Sequence, residues 1–383
     1  MKAYRSPRRA LLLAALGALT LATARGARAE DKILAIGCSL PLSGPMVGFG
    51  QPIRQGMELA VALYNASGKL PGARFKLDCN DSKGDAKEAV TIAERLADDP
   101  AVIASISDFT STATMAAADT YGRAHLVELT PSASHPAITG MNPWMFRSSE
   151  TVPSYIEPLA DFTVKTLGKK RVALIQVQTD WGQSVGATFT ARVKADGGEV
   201  VATDVYNAGT TDFRAILTKL RRTQPEAIFL AMLEEEAATF MKQRAQLGLT
   251  SAVVVDSGVG LTDRSLKLAG HAFDGMWSER LFDPESKAPE VQRFIAAFKA
   301  KYSQDPDIWS AYGWDAATLV MQAAQRAWPD VTRQAVRDQL AATGTYQGAN
   351  GSLSIDPATR EVSRQGLTVV QVQDGRMVYD AKP

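Results

Sequence analysis

The sequence is short of several things. It has two cysteines and three histidines in 383 residues, aromatic residues make up 7%, and neither sign of charge dominates, with 42 lysines and arginines against 41 aspartates and glutamates. Each shortage removes a class of protein. His125, His135 and His271 are scattered, and together with Cys38 and Cys79 they show no ligand spacing, so neither a metal nor another cofactor is expected. Balanced charge argues against nucleic acid or an anionic membrane surface as the main partner, because both reward clustered positive charge. There is no internal repeat and no low-complexity tract. Nowhere does an apolar run reach the roughly 20 residues that span a bilayer.

The first residues, MKAYRSPRRALLLAALGALTLATARGARA, do form a pattern. A basic start (Lys2, Arg5, Arg8, Arg9) precedes an apolar stretch from Ala10 to about Ala24 and a small-residue site at Ala27-Arg28-Ala29. This reads as a cleaved signal peptide over 1–29, and Arg8-Arg9 fits either a twin-arginine signal or an ordinary basic segment. No cysteine lies near the cleavage site to carry a lipid. Cleavage removes six basic and no acidic side chains, leaving 354 residues with 36 basic and 41 acidic groups. The mature chain is expected to be exported to the periplasm, mildly acidic and long enough for about two domains. Export permits Cys38 and Cys79 to pair, since each ends a predicted strand (ILAIGCSL and FKLDCND). A bridge and two free thiols both stay open, because sequence does not give their separation.

Along the mature chain, short apolar runs alternate with helical patterns. ILAIGCSL precedes Ile53, Met57, Ala60, Val61 and Tyr64 at helical spacing, and FKLDC precedes a helix opened by Asp85, with Glu88 three residues on as in a capping box. AVIASIS, a helix from about Ser111 to Arg123, HLVEL, RVALIQV, EAIFLAM and AVVVD continue the alternation. Strands that are apolar throughout and joined by helices indicate an α/β chain with mostly parallel sheets covered on both faces. Three irregular passages interrupt it: MNPWMFRSSETVPSY, WSERLFDPESKAP and QGANGSLSIDPATREV. A helix over 289–302 follows the second, and a hairpin turning at Asp374-Gly375 follows the third.

In an open parallel sheet, loops at the strand carboxyl ends converge on a crevice into which helix amino termini point unpaired N–H groups. Two hydroxyl-rich loops hold such positions: Asp108-Phe109-Thr110-Ser111-Thr112 and Thr130-Pro131-Ser132-Ala133-Ser134. Singly, each could be no more than helix capping. On consecutive strands they point to a carboxylate or phosphate. Phe49 and Trp181 fall at predicted crevice loops, where either could pack on an apolar ligand group or on its own lobe. Glu234, first of three glutamates after EAIFLAML, and Asp256, after AVVV, are candidates for a ligand ammonium, or else a helix's first-turn charge and a turn. A rival is Gly182-Gln183-Ser184-Val185-Gly186, which matches G-x-S-x-G between a strand and a helix, with Asp256 or Asp263 and then His271 in triad order. Against that hydrolase reading, four residues part the strand from the first glycine and no HGGG-like oxyanion loop is present.

The segments SLPLSGPMVGFGQPIRQGMELAVALYNASG, NDSKGDAKEAV, ISDFTSTATMAAADTY, LTPSASHPAITG, FRSS and LKLAGHAFDGM resemble, in order, the Leu/Ile/Val-binding family of periplasmic solute-binding proteins that feed ABC transporters. The likeness runs from about Ile33 to the C-terminus and is most specific in the first half. It implies a two-lobed type I fold with three hinge crossings, matching the three irregular passages: one lobe from 30–148 plus 280–353, the other from 149–279 plus 354–383. It further implies that Ser111 with Thr112, and Ser132, Ala133 and Ser134, hold a ligand carboxylate, Ser132 through its backbone. Phe49 and Trp181 would flank the side chain, with Asp256 or Glu234 for an ammonium. The family's acidic residue normally directly precedes a glycine, where this chain has Ser257, and the aromatic residue usual after the preceding strand is replaced by MLEEE. The implied function is non-enzymatic: binding of a small carboxylate, foremost an aliphatic amino acid and alternatively an amine-free acid, for delivery to an ABC permease. With no anchor or signalling domain following, a sensor module is not expected.

Overall fold

The computed structural model describes residues 31–249, 253–280, 282–364 and 368–379. The leader and its cleavage site lie outside them, and among the described residues no helix is long and apolar enough to cross a membrane.

The chain begins with β1 (Lys32–Leu40), α1 (Val47–Ala66), β2 (Ala73–Asp81), α2 (Ala86–Asp98), β3 (Val102–Ser107), α3 (Ser111–Arg123), β4 (Glu128–Thr130) and β5 (Met145–Arg147). Their five strands form one sheet in the order β2-β1-β3-β4-β5, every pair parallel. Alternation along β1 explains the unbroken apolar run. Leu34, Ile36, Cys38 and Leu40 enter the large core, while Ala35 joins Leu96, Val102 and Tyr121 on the other face. Asp85 caps α2 by accepting from the N–H groups of Lys87 and Glu88. Glu88 does not complete a capping box; it pairs with Lys83 at 3.3 Å.

A second sheet is built from α4 (Val152–Asp161), β6 (Arg171–Val177), α5 (Asp180–Ala195), β7 (Glu199–Tyr206), α6 (Arg214–Thr223), β8 (Ala227–Ala231), α7 (Glu234–Gln246), β9 (Val253–Asp256), α8 (Asp263–Ala269) and β10 (Trp277–Arg280). The same alternation places Ala173, Ile175, Ile228 and Leu230 on one face and Val172, Leu174, Ala227 and Phe229 on the other. The chain then returns with α9 (Pro289–Tyr302), α10 (Ile308–Ala327) and α11 (Arg333–Ala341), which pack in the first core. A small antiparallel sheet follows, made of β11 (Thr345–Gly348), β12 (Gly351–Ile355) and β13 (Val362–Arg364). Finally β14 (Thr368–Gln373) and β15 (Arg376–Tyr379) complete the second sheet, in the order β15-β14-β10-β9-β8-β6-β7. Their hairpin turns at Asp374 and Gly375, both at positive φ.

The structure alters the reading of the irregular passages and selects one of the two cysteine alternatives. The first irregular passage contains β5, whose Phe146 is fully buried, and the second contains β10, paired to β9 and β14. Each is too short to show a period. The described residues from 354 to 364 pack with the first lobe and not the second, because Ile355 and Val362 remain in the first core and Arg360 donates to the carbonyls of Met145 and Thr139. Cys38 and Cys79 are in-register neighbours on parallel β1 and β2, yet stand as free thiols. Burial pushes the Cys38 thiol's pKa up, disfavouring the thiolate that disulfide chemistry needs.

Candidate ligand-binding site

Two loops leave the carboxyl ends of β3 and β4 and meet. Thr110 caps α3, accepting from the Ala113 N–H at 3.1 Å. Ser111 and Thr112 therefore sit in a first turn whose amides have no intrahelical acceptor. The second loop is stitched to the first. Thr130 donates to the Asp108 carbonyl at 3.0 Å, Ser132 donates to the Phe109 carbonyl at 3.3 Å, and the His135 N–H donates to Ser111 Oγ at 3.3 Å. Since the Ser111 oxygen accepts there, its own proton stays available to a ligand.

These loops form one wall of a cleft between the lobes, with a volume of about 890 Å³ that includes its open mouth. Ser111, Thr112, Ser132, Ala133, Ser134 and Trp181 all line it. Across the cleft, Trp181 Nε1 donates to the Tyr155 hydroxyl at 2.9 Å, which shares a 2.9 Å hydrogen bond with Ser134. Thr112 spends its hydroxyl on Asp180 of the other lobe, at 2.6 Å. Its contribution to an anion is therefore its amide. The donors on this wall are hydroxyls and N–H groups, which suit a carboxylate held by hydrogen bonds; the cavity's arginine, Arg280, comes from β10 of the other lobe.

Phe49, Asp256 and Glu234 are not brought to this wall. Phe49 is buried behind it, stacked on Phe109 with centroids 4.4 Å apart and edge-on to Trp309; Phe109 and Trp309 are the rings that face the cavity. Asp256 is fully buried and turns inward, accepting from the N–H groups of Gly258 and Leu261 at 2.8 and 3.1 Å. Burial raises its pKa to about 7 against those hydrogen bonds. Glu234 lies in a separate recess beside Arg264, 3.5 Å away, and burial raises its pKa to about 7.

Ser184 lies inside α5, well past the turn that leaves β6, so it occupies no nucleophile elbow. The flanking glycines serve packing. A Cβ on Gly182 would fall 2.1 Å from the Val177 carbonyl oxygen, and one on Gly186 would fall 1.7 Å from Gln176 Oε1. The triad candidates are dispersed: His271 is exposed and pairs with Asp274, while Asp256 is committed to its own turn.

Residues 34–376 match the sequence pattern of a family described as periplasmic binding protein. The chain belongs to the periplasmic binding protein family. Within it, the chain is similar to Leu/Ile/Val-type binding proteins. It is 27% identical over 325 residues to the leucine-, isoleucine-, valine-, threonine- and alanine-binding protein of Pseudomonas aeruginosa, covering 82% of this chain and 84% of that one. An amino acid binding protein of the same organism is 30% identical over 237 residues, or 61% of this chain, and the match spans 63% of that relative's length. In three dimensions, a leucine binding protein from Thermotoga maritima superposes with a TM-score of 0.84 at 24% identity, covering 91% of this chain and 98% of that chain, and so shares the two-lobed fold. Membership implies export to the periplasm and a role as the substrate-binding protein of an ABC transporter.

This binding protein also has cleft residues that sequence reasoning missed: Glu150, Glu279, Trp309 and Tyr312. Glu150 and Glu279 stand at the first and second crossings. Glu150 accepts from the Tyr312 hydroxyl at 2.7 Å and pairs with Arg364. Acidic residues in FRSSE and WSER were the available signal, but neither segment looked like a loop aimed at the cleft.

Proposed function

We propose that this protein captures a small solute bearing a carboxylate and an apolar body, with an aliphatic amino acid such as leucine or valine as the first candidate, and delivers it to an ABC permease. The observation that carries the proposal is the convergence of Ser111, Ser132 and Ser134 on one cavity, with first-turn amides of α3 beside them. Aromatic and aliphatic neighbours, Phe109, Trp309, Leu233 and Met46, supply the apolar part. The relatives' amino-acid ligands support the same reading. Catalysis forms no part of the proposal: Ser184 lies inside α5, His271 pairs with Asp274, and Asp256 holds its own turn.

A thermal-shift panel of amino acids and their deaminated counterparts, run on the mature chain, tests this. A true ligand at one hundred times its Kd adds about 2.7 kcal/mol of stability. Ser134→Ala and Ser111→Ala should each weaken that ligand about tenfold, the worth of one charge-assisted hydrogen bond. Stabilisation by no carboxylate in the panel would sink the proposal.

A further inference from the structure

Charge is unevenly matched along the hinge side of the cleft. Two buried glutamates face the cavity there, and only one is answered. Glu150, at the first crossing, is paired with Arg364, which ends β13 and is itself buried, and it also accepts from Tyr312. Glu279, at the second crossing, is 3% exposed, and its Oε2 has no hydrogen-bond partner among the described residues. No described lysine or arginine lies within ion-pairing distance of it. Its sequence neighbour Arg280 also lines the cavity but makes no ion pair with Glu279, donating from Nη1 to the Leu261 carbonyl at 3.2 Å.

The backbone makes room for this lone carboxylate. Gly258 follows the Ser257 position at a φ of +89°, and a Cβ on it would fall 2.2 Å from Glu279 Oε1. Both Ser257 and Gly258 line the cavity, while Asp256 beside them is buried off it, with its Oδ1 taken by the amides of Gly258 and Leu261. An acid supplied by β10 therefore reaches the space beside Ser257. Burial and the nearby Glu150 push the Glu279 pKa well up, so in the empty cleft the group is held toward its neutral form. A ligand cation would supply the missing partner.

Resting on the carboxylate reading above, we propose that Glu279 is the specificity-determining acceptor for an ammonium group on the ligand, so that the substrate class is zwitterionic α-amino acids and not amine-free acids. The carboxylate meets the hydroxyl loops of the first lobe and the ammonium meets β10 of the second. The ligand thus ties the two lobes by its two charges, and loss of either charge removes one anchor.

Calorimetric titration with isosteric pairs tests this: L-leucine against 4-methylpentanoate, and L-phenylalanine against 3-phenylpropanoate. Wild-type protein should bind the amine-bearing member of at least one pair about a hundredfold more tightly, since only the ammonium gains a charge-assisted hydrogen bond to the buried carboxylate. Glu279→Gln should abolish most of that preference by weakening the amino acid and leaving the deaminated acid as tight or tighter. The wild-type comparison needs no variant, so misfolding of Glu279→Gln does not blunt it. Equal or tighter binding of the deaminated acids by wild type overturns the role of Glu279 while leaving the carboxylate site standing. A preference that survives Glu279→Gln in a folded variant also overturns it. Failure of both members of every pair overturns the carboxylate reading and this inference together.

Discussion

Asp256 and Glu279 are both carboxylates buried at the cleft edge of the second lobe, and their surroundings give them opposite uses. Asp256 takes its own loop's amides and the Ser278 hydroxyl on one oxygen, so it shapes the turn that carries Ser257 and Gly258. Buried acids of this kind also set how stability varies with pH. Burial raises the pKa of Asp108 to about 6, and of Asp256 and Glu234 to about 7. Between about pH 4 and 7 the folded chain keeps protons that the unfolded chain has released, so these groups' stabilising contribution declines as pH rises through that window and levels off above it. His135, whose pKa burial lowers, opposes them with one group against three. Asp161, held at about 2 chiefly by Arg192, acts below the window. The ligand-free protein should therefore unfold at a lower temperature at about pH 8 than at about pH 5 by scanning calorimetry, and Asp256→Asn should flatten the slope. An unchanged slope in that variant would show that Asp256 is not among the causes.

At the scale of elements, α5 explains why a nucleophile pattern arises without a nucleophile. Its first turn is set by Thr179, which accepts from the Gly182 N–H at 3.1 Å, and the helix lies so close on β6 that a side chain at 182 would strike backbone and one at 186 would have to displace the end of Gln176. The obstacle at 182 is a backbone carbonyl, which cannot swing aside. Gly182→Ala should cost about 1–3 kcal/mol of stability in denaturant unfolding through overpacking. Ser184→Ala should change stability by less than about 0.5 kcal/mol, and ligand affinity not at all. An effect of Ser184→Ala on binding or on ester turnover would return the hydrolase reading to contention. Other elements were legible for a plain reason. β8 is apolar at every position, and β3 is buried at every position with two serines towards its end, because both sheet faces are covered; the capped starts of α2 and α3 are written in Asp85 and Thr110. β5 and β10, with three and four residues, carry too little pattern to be seen.

The whole molecule is two lobes joined where the chain crosses three times, with contacts that also bridge the cleft itself. Thr112 to Asp180 and Ser134 to Tyr155 link residues of opposite lobes, and Arg264 of the second lobe rests where a Cβ on Gly48 of the first would be, 1.9 Å from Nη1. Such contacts favour the shut state independently of ligand. Asp180→Ala removes a hydrogen bond to a charged group, worth about 1.5–3 kcal/mol, and should loosen closure. Small-angle scattering of the ligand-free variant should give a larger radius of gyration than wild type, with ligand affinity lowered about tenfold because binding must then supply the closure energy. Identical scattering and affinity would show that this contact does not hold the lobes.

Read alone, the sequence determined the class of fold and the two hydroxyl loops, because strand polarity, capping and loop position are local consequences of nearby residues; it left Trp181 open between a ligand and its own lobe. Only the tertiary structure decided which acids face the ligand. Glu150 and Glu279 come from crossings far apart in the chain, and what a buried carboxylate meets depends on what folding brings beside it: Arg364 for Glu150, loop amides on one oxygen of Asp256, and an open cavity for Glu279.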